Sequence, residues 1–136
     1  MYDKNRFYDS DTDFLIAWTG SLKPHELADY LHEPGGCGDN EPQSMFARDL
    51  GRAYDHDLIY AQAADEVSSI EQLAQLNYIT DSQLVEELES NTADENVNCF
   101  IVLWHAKRTD PRDREFAGGR LRCIGSWQHP SPFGDM

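Results

Sequence analysis

Basic residues are scarce in this chain: 11 Lys and Arg stand against 25 Asp and Glu in 136 residues, a formal charge of -14. That balance disfavours binding to nucleic acid and to anionic lipid, since both are polyanions that must be met by cations. Cysteine is also sparse. Cys37, Cys99 and Cys123 are odd in number and widely spaced, which fits neither a disulfide framework nor paired zinc ligands and points to reduced thiols in a cytoplasmic protein. No apolar run approaches the roughly 18 residues needed to span a bilayer. The opening "MYDKNRFYDSDTDF" has no basic segment followed by an apolar one, so no targeting signal is expected. Catalytic signatures are missing too: there is no G-x-S-x-G elbow, P-loop, G-x-G-x-x-G, HExxH or EF-hand loop. A non-enzymatic protein without a cofactor is the expectation.

What is present describes a folding chain. Hydrophobic residues make up 40%, including fifteen Phe, Trp and Tyr, too many for a disordered acidic chain. Residues 1–136 fit one domain with one core, with 1–12 and 129–136 read as flexible ends. The charge is lopsided: residues 1–95 hold 21 acidic and 5 basic groups, residues 96–136 hold 4 and 6. An excess gathered in this way favours a basic partner.

Segment by segment, "DFLIAWTG" (13–20) reads as a buried strand ending at Gly20. "SLKPHELADYLHEPGG" follows as a helix with Ser21 as a candidate cap and Pro24 in the first turn. "QSMFARDLG" reads as a short helix closed by Gly51, and "HDLIYAQA" as a strand or extended arm. "SSIEQLAQL" and "TDSQLVEELES" are amphipathic, either two helices or one that is broken. "NVNCFIVLWHAK" and "RLRCIGSWQ" read as the two strands of a hairpin with a long charged loop. The expected fold is α+β: an antiparallel or mixed sheet of three to four strands with helices packed on one face. Trp18, Trp104 and Trp127 are expected in the core.

The chemistry is best weighed around "FARDLGRAYDHDLIYAQ" (46–62). A metal-dependent hydrolase would use Asp55, His56 and Asp57, with His25 or His32 as further ligands. On a strand, however, His56 points away from the face shared by Asp55 and Asp57. A thiol among glycines in "PGGCG" has no positive charge beside it to lower its pKa. The run from Lys107 to Arg122 holds six of the basic residues, diluted by Asp110, Asp113 and Glu115, and reads as a counterweight to the acidic half rather than a phosphate stripe. What remains is a binding surface. Carboxylates beside Tyr30, Tyr54 and Tyr60 suit capture of a basic protein, the charges speeding encounter and the aromatics anchoring the docked state. The contact residues expected on this basis are Glu33, Asp39, Glu41, Tyr54, Asp55, Asp57, Asp65 and Glu66.

Over residues 13–90 the chain also resembles a family of bacterial polymorphic-toxin immunity proteins, immunity protein 22. Trp18 and Gly20 match its Trp-x-Gly strand end, Glu26, Leu27 and Tyr30 its Glu-Leu-x-x-Tyr helix, and Phe46, Asp49, Gly51, Tyr54, Asp55 and Asp57 its Phe-x-x-Asp-x-Gly and Tyr-Asp-x-Asp segments. The resemblance implies a small cytoplasmic protein of interbacterial competition that binds and blocks a cognate toxin. Many such toxins are nucleases, whose positive clefts suit an acidic plug. A DNA-mimic inhibitor of restriction enzymes is an alternative within the binding class.

Overall fold

The computed structural model describes residues 7–32, 44–51, 54, 58–66, 70–76, 79, 81–92, 97–109 and 115–129. The chain runs β1 (Tyr8–Gly20), α1 (Pro24–Leu31), α2 (Met45–Leu50), β2 (Ile59–Ala63), α3 (Ile70–Leu76), α4 (Ser82–Asn91), β3 (Cys99–Arg108), a short 3-10 turn (Ala117–Gly119) and β4 (Leu121–Gln128). The four strands form one antiparallel sheet in the order β2-β3-β1-β4. This is an α+β fold, as the sequence indicates.

Three expectations are corrected. The helices do not share one face. Ile16 and Trp18 of β1 pack with Leu27 and Tyr30 of α1 and with Phe46 and Leu50 of α2, while Leu15 and Ala17 pack with α3 and α4 through Leu73, Leu84 and Leu88. Strand β3 carries the reason in its composition: Cys99 through Trp104 are all buried, and an unbroken apolar run marks a strand covered on both sides. Second, β3 and β4 are not a hairpin, because β1 lies between them and pairs with both. Their connection instead crosses the α1/α2 side, where the Phe116 ring meets Phe7, Trp18 and Phe46 at centroid distances of 5.2, 5.5 and 6.0 Å. Third, the leader is structured from Phe7 onward. Phe7 and Tyr8 are buried, and Tyr8–Ser10 pair with Ala106–Arg108. At the other end, the His129 amide donates to the Asp13 carbonyl at 2.8 Å; residues 130–136 lie outside the described residues.

Local chemistry explains the ends of the elements. Lys23, not Ser21, precedes α1, and its amide donates to the Glu26 carboxylate at 2.9 Å, with Pro24 opening the helix. Ser44 Oγ accepts from the Ala47 amide at 3.0 Å to cap α2, and Gly51 ends it in the left-handed region at φ 82°. Asp81 caps α4 by accepting from the Gln83 and Leu84 amides. The second and third amphipathic segments are therefore two helices, with Ile79 wholly buried between them. Gly20 is required by close approach: a Cβ there would lie 2.0 Å from the Arg120 carbonyl oxygen, so β1 and the start of β4 meet only at a glycine.

Trp18 and Trp104 are fully buried and Trp127 is half-buried at the edge of the α3/α4 layer. Their expected role as core aromatics holds.

Candidate functional site

Of the eight expected contact residues, Glu33, Asp39, Glu41, Asp55 and Asp57 lie outside the described residues, as do His56, Cys37 and most of the loop around it. Asp65 and Glu66 are exposed just beyond β2. Tyr54 is half-buried. Its ring stands edge-on to Phe46 at 5.3 Å and its hydroxyl is 3.2 Å from Ser44 Oγ, so most of this ring serves the α1/α2 layer and its hydroxyl is tied to the α2 cap.

Tyr30 and Asp49 have a different use from surface capture. Tyr30 is 2% exposed, and its hydroxyl donates to Asp49 Oδ2. The Ala117 amide is shared between the two, 3.1 Å from the Tyr30 oxygen and 3.0 Å from Asp49 Oδ2. Ala117 sits at φ 52°, unusual for a residue with a Cβ, and this amide is what the pair holds. Three segments that are distant in sequence, α1, α2 and the β3–β4 crossover, are thus tied at one polar point within an aromatic layer. Burial, and then the hydrogen bond to Asp49, push the Tyr30 phenol above its ordinary range. Tyr30 is therefore a clamp and not an exposed anchor.

A second tie joins the acidic and basic portions of the chain. Arg120 meets Glu26 in a two-pronged pair, Nη1 to Oε2 at 2.6 Å and Nη2 to Oε1 at 2.8 Å. The guanidinium, followed by the Lys23 amide, lowers the Glu26 pKa to about 2. At Arg120, the counterweight expected of the basic run takes a concrete form.

The acidic surface that the structure does assemble lies on the opposite layer. Helix α4 exposes Glu86, Glu87 and Glu89. Between α3 and α4 runs a groove of about 260 Å³, with Glu71, Glu86 and Glu89 around Ile79 and Val85. On the other side of α4 a groove of about 440 Å³ is bounded by Asp81, Glu86 and Glu87 and by Trp127 and His129 of the β4 end. Glu86 borders both grooves. His129 Nε2 approaches Asp81 Oδ2 at 3.6 Å, and its ring lies 6.0 Å from that of Trp104. Among the described residues, Glu71, Glu86, Glu87 and Glu89 meet no Lys or Arg.

None of these four was among the expected contacts, although a signal for them existed. No Lys or Arg occurs between Arg52 and Lys107, while eleven Asp and Glu do. The amphipathic pattern of 70–91 drew attention to its buried stripe and away from the unbalanced exposed one.

Among the described residues, no group of three His, Cys, Asp or Glu is arranged to hold a metal ion, and no helix is long and apolar enough to cross a membrane. Cys99 is buried and its thiol is pushed up to about 12 by that burial, the opposite of a reactive thiolate. No family model, curated protein or solved structure matches the chain.

Proposed function

We propose that this protein is an immunity protein: it binds a cognate antibacterial toxin in the cytoplasm and neutralises it by covering a basic surface, most simply the substrate cleft of a nuclease. One observation carries this, the exposed carboxylates of α3 and α4 that no basic side chain of the described residues offsets. Crowding like charges on one helix opposes folding. A chain that also uses Arg120 to offset Glu26 has means to balance charge, and it leaves α4 unbalanced. A cationic partner supplies the missing balance. Electrostatic attraction then raises the encounter rate, and the apolar strips beside the glutamates provide the desolvated contact that slows release.

A nuclease cleft is positive because its substrate is a polyanion, so dense carboxylates compete for the same site. The test is co-expression with the product of the neighbouring reading frame. Growth arrest caused by that product and lifted by this chain is the expected result. A neighbour that is harmless, or an arrest that persists when the chain is present and folded, overturns the proposal.

A further inference from the structure

Resting on the neutralising role above, we infer that the α3–α4 groove is the docking site for an arginine side chain of the basic partner. The site lies away from the α2–β2 region that the sequence alone suggested. Three observations converge on it. The groove, about 260 Å³, has Ile79 and Val85 at its base, with Glu71 on one wall and Glu86 and Glu89 on the other. Ile79 is wholly buried and Val85 is 7% exposed, so the base is firmly set by the core beneath. Glu86 and Glu89 are three residues apart on one helix and so rise from the same side of α4.

The chemistry selects the occupant. An aliphatic stem laid on Ile79 and Val85 loses contact with water at a hydrophobic surface, while a charged head stays at the rim. Three carboxylates approaching from two walls match a planar group with five N–H donors better than a compact ammonium, which favours arginine over lysine. An anionic or purely apolar occupant would leave three carboxylates close together with their repulsion unrelieved. Gln75, also on the groove, can accept from or donate to whatever the arginine is attached to.

The test uses the full chain, isotopically labelled, titrated by amide NMR with acetyl-Leu-Arg-Leu-amide and with the citrulline analogue, which is neutral and nearly isosteric. Saturable shifts confined to amides of residues 71–89, absent with citrulline and weakened roughly tenfold or more in E71Q/E86Q/E89Q, are the expected result. Equal shifts with citrulline, shifts centred on Tyr54, Asp65 and Glu66, or no saturable shift in the groove would overturn the inference. The triple variant removes repulsion without removing volume, so its fold is expected to persist, and a thermal melt checks this. Co-expression separates the two levels of the account. If the wild type and E71Q/E86Q/E89Q rescue growth equally, the groove is wrong and the neutralising role stands. If the wild type itself fails to rescue, the neutralising role falls whatever the peptide does.

Discussion

At the scale of single residues, the buried polar chemistry converges on Asp49. Its carboxylate accepts from the Tyr30 hydroxyl and the Ala117 amide, and removing it strands two donors inside an aromatic layer. Asp49→Ala is therefore expected to lower unfolding free energy by about 1–3 kcal/mol. Tyr30→Phe should cost less, and the two changes should fall short of additive in a double-mutant cycle read by urea denaturation. The same tyrosine and Cys99 set the alkaline limit. Both have folded pKa values raised by burial, Cys99 to about 12 from 9.0 and Tyr30 upward from 10.0. Their unfolded forms ionise first, so unfolding releases protons. The stabilisation is whole below about pH 9 and drains away as pH rises toward and past 12. Urea midpoints between about pH 8 and pH 11 should fall, and less steeply above pH 10 in Tyr30→Phe. Glu26 works in the other direction. With its pKa held at about 2 against 4.5, its contribution is present above pH 4.5 and is lost as pH falls toward 2, and salt screens it because the pair is exposed.

Among the elements, α4 is the one whose sequence opposes its own helix. Glu86 and Glu89 repel at three-residue spacing, and Glu89 lies near the C-terminal end, where the helix dipole disfavours an anion. E86Q/E89Q is accordingly expected to raise the melting temperature of the free protein by about 2–4 °C while weakening partner binding. A gain in stability joined to a loss of binding identifies these glutamates as kept for the partner; a loss of stability would show that they serve the fold.

The elements also show where the sequence was readable. Strand β1, the capped helix α2 and the paired helices α3 and α4 follow from local pattern, because their signals (an apolar run, Ser44 with Gly51, Asp81 ahead of Leu84) are contained in a few residues. The β3–β4 relation was misread because nothing between residues 99 and 128 announces that β1, eighty residues earlier in the chain, inserts between them. The α1 cap moved from Ser21 to Lys23 because the Ser21 amide is committed to the Arg120 carbonyl, 3.0 Å away. Of the candidate site, the Asp49 environment was legible as a helix-end hydrogen bond but not as a three-way tie, since Ala117 lies 68 residues away. Acidity as such was plain in the composition. Which acids share a surface was decided by tertiary packing, which turned Tyr30 inward and left Glu86 at the junction of two grooves.

The whole molecule is a four-stranded sheet with a helical layer on each face and with its charge divided between them. The α1/α2 layer is balanced where Arg120 meets Glu26 and is closed by aromatic rings and the Asp49 tie. The α3/α4 layer offers carboxylates along a helix with a groove on each side. One layer secures the fold, and the other is proposed to meet the partner. The most direct measurement is calorimetric titration of this chain into the product of the neighbouring reading frame at low and at high salt. The account predicts one-to-one binding that weakens steeply as salt rises and that is reduced by at least roughly tenfold in E71Q/E86Q/E89Q. Binding indifferent to salt and to those three substitutions, or no binding at all, would contradict it.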